Sequence, residues 1–305
     1  MQLAGFKRLF RGRTESSTWD ACLQAGMAAY ERRDYADAEK RLLAALKLAE
    51  AFGADDRRVV TTLNSLAETY RALGSYDDAV SLSQRALDLR ERVLGPTHPD
   101  VANSLSTLAE LYRAQGRAGD AKPLLKRALS MQERVLGPDH SDLGTTLSNL
   151  ALIYRAESEH AKAKPLLKRA LAIRKQALGS KHPRVATTLN NLALVYRAEG
   201  MHAKAKSLFK RALKIREQTL GPTHPRVATS LNNLAQLYRG LGQHFKAEPL
   251  YQRALRIWEE TLGKNHPHVA NALENYAHLL IDMKRRPEAA NMIARAKVIR
   301  ARQTK

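Results

Sequence analysis

The sequence predicts an all-α protein: an α-solenoid of seven helix-turn-helix hairpins. Three observations carry that reading. The segment Leu94-Gly95-Pro96-Thr97-His98-Pro99 returns, with variations, at Leu136, Leu178, Leu220 and Leu262, each 42 residues after the last. Alanines 38, 79, 121, 163, 205, 247 and 289 keep one register, and alanines 45, 86, 128, 170, 212, 254 and 296 keep a second. Between these landmarks the apolar residues follow a helical period. A fixed period of this size means one supersecondary unit stacked on copies of itself, and such an array grows by addition rather than around one closed core.

Each element has its own justification. Leu189, Leu192, Ala193 and Tyr196 stand at i, i+3, i+4 and i+7, as do Leu231, Leu234, Ala235 and Tyr238, so the first half of a unit is an amphipathic helix. Ala205, Leu208, Phe209, Ala212, Leu213 and Ile215 make the stripe of the second helix. Turn glycines such as Gly74 and Gly200 separate the two, because glycine reaches positive φ without a Cβ clash. Gly95, Gly137, Gly179, Gly221 and Gly263 suit the end of the second helix, and Pro99, Pro183, Pro225 and Pro267 the first turn of the next. The alanines set how closely helices approach. The units fall at about 19–54, 55–97, 98–139, 140–181, 182–223, 224–265 and 266–303, behind a basic tail over 1–18 in which Leu3, Phe6, Leu9 and Phe10 alternate with cations.

Two units depart from the pattern. The first carries Asp55-Asp56 in place of His-Pro after its second helix, and has the small residues Cys22, Ala25, Gly26 and Ala29 in its first helix, as suits a terminal repeat with one uncovered face. In the fourth, Ser141 replaces the helix-starting proline, Gly144 an alanine and Ser158 the turn glycine. Glycine inside a helix costs about 0.5–1 kcal/mol relative to alanine, so this unit is expected to be softer.

Little in the sequence points to catalysis, a cofactor or a metal. There is no Gly-rich phosphate loop, Cys-x-x-Cys pair or nucleophile elbow. The loop histidines come one per unit on hairpins roughly 10 Å apart, too far to share an ion whose bonds are about 2.1 Å, and they are expected to cap or pack the loop. Cys22 is the single cysteine and no apolar run reaches a membrane span, so a cytoplasmic protein is expected.

Asn191-Leu192-Ala193-Leu194-Val195-Tyr196-Arg197, the alanine registers and the Leu-Gly-x-x-His-Pro loop together resemble tetratricopeptide repeats, in the 42-residue version of kinesin light chains and many bacterial proteins. The resemblance covers about residues 19–300. It implies a right-handed superhelix whose first helices line a concave groove for extended peptides. Kinesin light chains place heptad coiled coils ahead of their repeats, whereas fewer than 20 residues precede the first unit here, so a motor subunit is not expected.

On that groove two aligned rows are expected to be exposed. Arg71, Arg113, Arg155, Arg197 and Arg239 each follow the packing tyrosine of a first helix, and Ile281 ends the row. Ser65, Thr107, Asn149, Asn191, Asn233 and Asn275 form the second, with Thr61, Asn103, Thr145, Thr187, Thr229 and Asn271 one turn earlier. An asparagine amide pairs with both the N–H and C=O of an extended backbone, and the arginine fork takes a carboxylate on two N–H groups. The resemblance implies peptide-backbone contact at Asn149, Asn191 and Asn233, and acidic groups at Arg113, Arg155 and Arg197.

The net charge of +21 keeps an alternative open. From Arg113 to Glu217 there are 22 Lys and Arg against 8 Asp and Glu. Many recur on second helices: Lys122, Lys126, Arg127, Lys164, Lys168, Arg169, Lys206, Lys210 and Arg211. Such stripes are expected on the outer face, where they would suit nucleic acid or an anionic membrane. The scarcity of unpacked aromatics leaves no platform for base stacking, so an acidic protein partner is preferred.

Overall fold

The computed structural model describes residues 18–302. Among them are only helices and their connecting turns: α1 over 18–31 with α2 (Tyr35–Ala51), α3 (Arg57–Leu73) with α4 (Tyr76–Leu94), α5 (Pro99–Ala114) with α6 (Ala118–Leu136), α7 (Leu143–Ala156) with α8 (His160–Leu178), α9 (Pro183–Ala198) with α10 (His202–Leu220), α11 (Pro225–Gly240) with α12 (His244–Leu262), and α13 (Pro267–Asp282) with α14 (Arg286–Ala301). The tail expected over 1–18 lies, apart from its last residue, outside the described residues. The chain forms two compact units, Met1–Ile153 and Tyr154–Lys305, with the boundary inside α7.

Both alanine registers are buried from Ala38 to Ala296. A methyl side chain lets helix backbones approach, and larger residues fill the space around it. In the first unit Leu42, Leu63, Leu66 and Leu89 gather about Ala45 and Ala86, and Leu105, Leu108 and Met131 about Ala102 and Ala128. In the second, Phe209, Leu234, Tyr238, Tyr251 and Leu280 surround Ala193, Ala205, Ala235 and Ala247.

Turn chemistry explains the hairpins. The N–H of Arg117 donates to the carbonyl of Tyr112 (2.8 Å), and the same five-residue closure recurs from Ser75 to Tyr70, Met201 to Tyr196 and Gln243 to Tyr238. That closure needs one residue at positive φ, which Gly74, Gly116, Gly200 and Gly242 supply at 68–84°. In the fourth hairpin Ser158 takes the position at φ 61°, where a side chain costs about 1–2 kcal/mol. The same hairpin starts late. Its first helix has 14 residues, against 16 in α5, α9, α11 and α13, because Ser141 and Asp142 stay in the turn where the others begin with proline.

A late start, a glycine in the first helical turn and a strained turn all weaken one hairpin. Amide exchange is therefore expected to be faster across residues 138–160 than across 180–202, read by hydrogen-exchange mass spectrometry. Equal protection of the two segments would show that tertiary packing overrides all three defects.

Candidate peptide-binding face of the first helices

The loop histidines set where the first helices begin. The imidazole Nδ1 of His98, His140, His182, His224 and His266 accepts the backbone N–H two residues on, at 3.2, 3.3, 3.1, 3.0 and 3.1 Å. At His98, His182, His224 and His266 the ring thus replaces the usual Ser or Asp oxygen as cap for an orphan helical N–H, whereas at His140 it ties down the turn residue Asp142 ahead of α7. The expectation of a capping role holds. Only the neutral ring has a lone pair at Nδ1, so protonation removes the cap. For His224, burial first and then the charges of Arg226 and Arg216 lower the pKa. A base whose folded pKa is lowered contributes stability above the unfolded value near 6.5 and loses it as pH falls through that value towards the folded one. The thermal midpoint is expected to fall between pH 7 and pH 5, and to fall less in His224→Asn, whose amide caps without titrating. An identical drop in the variant would remove the histidine from the account.

The anticipated rows lie on the first helices, but they are less exposed than the sequence suggests. Asn149 is buried, and its Nδ2 donates to Glu110 Oε1 at 2.5 Å within the first unit. In the second unit Asn233 Nδ2 donates to Asn190 Oδ1 (3.0 Å) and Asn275 Nδ2 to Asn232 Oδ1 (3.2 Å), while Asn191 is half-buried in the same row. The physical reason is the stacking itself: the preceding first helix lies against the flank of these asparagines and offers Asn149, Asn233 and Asn275 a partner. One N–H of an amide is spent in the ladder, and its chemistry retains a second N–H and a carbonyl oxygen. Thr187 and Thr229 donate to the carbonyls of Pro183 and Pro225, four residues back, and Thr187 Oγ1 also accepts from Arg216 Nη2 (3.3 Å); Thr145 is exposed one turn before Asn149.

The arginine row divides. Arg71 is exposed and bonds Glu68 on its own helix, and Arg113 is exposed. In the second unit Arg155 is half-buried, Arg197 donates to Gln236 Oε1 (2.8 Å), and Arg239 pairs with Asp282 Oδ2 (2.5 Å). Burial draws the pKa of Arg197 down. Exposed pairs such as Arg71–Glu68 are worth about 0–1 kcal/mol, so an incoming carboxylate can displace them.

A second set of arginines escapes sequence reading. Arg90, Arg174 and Arg216 sit near the ends of second helices and turn inward between first helices. Arg90 Nη1 donates to Ser104 Oγ (2.6 Å), Arg174 Nη1 to Thr188 Oγ1 (2.6 Å) and Arg216 Nη1 to Ser230 Oγ (2.7 Å). Arg174 and Arg216 retain only 8% and 4% of their surface, and desolvation, followed by the charges of Arg184 and Arg226, lowers each pKa to about 10. The same hydroxyl row accepts from Trp19 Nε1 at Thr62 (3.1 Å). Where Trp258 stands in place of arginine, Ala272 stands in place of the hydroxyl. That coupled exchange, 42 residues on, is the signal that marks the set.

On the second helices Lys126, Lys168 and Lys210 are exposed in register. Other members of the basic stripes are tied down: Arg127 pairs with Glu91 (2.7 Å) and Lys164 with Glu199 (2.8 Å). Arg253 and Arg295, from corresponding positions, pair with Glu217 and Glu259. Among the described residues, no helix is long and apolar enough to cross a membrane.

A family model of the tetratricopeptide repeat matches residues 19–90, 58–134, 108–176, 142–218, 184–244 and 226–297. No curated protein matches the chain. Among solved structures it is similar to the nearly identical TPR-like repeats of a kinesin-light-chain-like protein from Podosopora anserina, at 27% identity over 68% of this chain and 99% of that one, with a TM-score of 0.55. BtubC (BKLC) from P. vanneervenii is 25% identical over 82% of this chain and 92% of its own, with a TM-score of 0.58. The apo form of RapI is 15% identical and shares the fold over 94% and 98% of the two chains, at a TM-score of 0.74. With hairpins of this geometry repeated under six overlapping matches, the chain belongs to the tetratricopeptide-repeat family, in its kinesin-light-chain type of repeat.

Proposed function

We propose that this protein is a non-enzymatic interaction scaffold whose first-helix face takes an extended, acidic peptide segment of a protein partner. One observation supports the reading most: asparagines and arginines repeat in register along the first helices, with Arg71 and Arg113 exposed and Asn191, Asn233 and Asn275 half-buried. The amides of Asn191, Asn233 and Asn275 suit a peptide backbone, and Arg71, Arg113, Arg155, Arg197 and Arg239 suit carboxylates. Repeat arrays of this kind use extended surfaces for binding, and the fold by itself names no ligand. The work is assigned to the cytoplasm, in keeping with a lone half-buried Cys22.

The rival reading places nucleic acid or an anionic membrane on Lys126, Lys168 and Lys210, which are exposed and in register. Fluorescence anisotropy with a labelled poly-aspartyl peptide, duplex DNA and phosphatidylserine vesicles separates the two. Arg71→Glu with Arg113→Glu is expected to weaken the peptide about tenfold or more and leave DNA unaffected. Tight DNA or vesicle binding at physiological salt, lost in Lys126→Glu with Lys168→Glu and Lys210→Glu while no peptide binds, would replace the proposal with its rival.

A further inference from the structure

In the first unit a cavity of about 200 Å³ opens between α5, α6 and α7. It lies where the buried arginine column is interrupted. Residue 132, which by register should be arginine like 90, 174 and 216, is Gln132. Its shorter side chain reaches only Thr146, whose hydroxyl donates to Gln132 Oε1 at 2.7 Å.

The hairpins that keep their arginine show what such a space accommodates. Arg216 spends its N–H groups on Ser230 Oγ (2.7 Å), the carbonyl of Arg226 (3.0 Å) and Thr187 Oγ1 (3.3 Å). Moved back by two repeats, those three residues become Thr146, Asp142 and Asn103. All three line the cavity. The residues that correspond in register to the acceptors of a guanidinium therefore line the cavity, while the guanidinium of this chain is missing. The cavity adds two carboxylates, those of Asp142 and Glu110, where the sites of Arg174 and Arg216 carry Arg184 and Arg226 beside them. Asn149 holds the Glu110 carboxylate from the adjacent helix. In a chain of net charge +21, a water-open cavity edged by two acids is matched to a cation, and Asn103, Glu110 and Asp142 are exposed at its mouth.

We propose that this cavity is a receptor for an arginine side chain of the bound partner, seated where the protein's other hairpins place their own arginine. The inference rests on the peptide reading for the source of that side chain, and it sharpens that reading: the segment is acidic along the arginine row but carries one basic anchor at the third and fourth hairpins. The planar fork is required because the three acceptors are arranged around an in-chain guanidinium; a lysine ammonium is a single point of charge and reaches fewer of them.

Two measurements on the full chain test this. Titration of agmatine, a free alkylguanidinium, into protein labelled with ¹⁵N in its glutamine side chains is expected to shift the Gln132 amide. The Glu110→Gln, Asp142→Asn pair should weaken that response about tenfold. Poly-aspartyl peptides carrying a single arginine at successive positions are then compared with citrulline controls by anisotropy. One position of arginine should bind about tenfold tighter than its control, and Gln132→Arg, which supplies the guanidinium internally, should abolish the difference. A Gln132 amide unmoved by agmatine, or arginine and citrulline peptides that bind alike, overturns the proposal. Agmatine binding without any peptide binding would support the cavity while removing a peptide as the source.

Discussion

Phe209→Ala is expected to destabilise the protein by about 3–5 kcal/mol, read as the loss of helical signal in urea. Phe209 has no exposed surface and packs in a core with Ala193, Ala205 and Ala235. Those alanines, from α9, α10 and α11, admit the ring because they have no bulk of their own. They also have no side-chain length with which to close the hole it would leave. The alanine side of such a cavity can close only if whole helices move, and that places the cost in the usual range for an aromatic truncation. The damage is local in contacts but not in consequence, because each hairpin of a repeat array is stabilised by its interfaces with neighbours. Phe245 provides the contrast. It is 87% exposed on α12, so Phe245→Ala is expected to stay within about 0.5 kcal/mol of the parent. Equal effects at the two phenylalanines would mean that Phe209 does not fill an interface.

The features that could be read in advance are those the repeat shows many times over. Each alanine position is sampled seven times in the sequence, so its burial was legible from register alone. The histidine cap was legible for a related reason: it stands one residue before the start of a helix in the four loops that keep the following proline, and one mechanism serves all four. Exposure of the asparagine row was misread because a helical wheel sees one helix. Whether Asn149 faces water depends on Glu110, which is far away in sequence and adjacent only once hairpins stack. The inward arginines were missed for the opposite reason. A cation on an amphipathic helix is ordinarily assigned to its wet side, and long stems allow Arg174 and Arg216 to cross the boundary that the hydrophobic pattern draws. Only the partner column, Ser104, Thr146, Thr188, Ser230 and then Ala272, betrays them.

That coupling makes a quantitative expectation. Arg216→Ala should cost about 2–3 kcal/mol, since it removes a buried stem from between α9 and α11 and leaves the Arg226 carbonyl and Ser230 hydroxyl without their donor. Ser230→Ala alone strands one guanidinium N–H in a dry place and should cost about 1–3 kcal/mol. In the Arg216→Ala background, however, Ser230→Ala should cost almost nothing, giving a coupling energy of about 1 kcal/mol or more in the double-mutant cycle. The sixth hairpin suggests how to restore what is lost. Trp258 opposite Ala272 fills the same place without any charge, its ring 5.6 Å from that of His268. Transplanting that pair as Arg216→Trp with Ser230→Ala is expected to recover at least half of the loss. A buried guanidinium bears a desolvation cost that an indole does not, and Arg226, in the position of His268, can lie against the new ring. Additive single-site effects would show that Arg216 and Ser230 are neighbours without being partners. A transplant less stable than Arg216→Ala would show that the two hairpins, although built on one repeat, leave differently shaped space between their first helices.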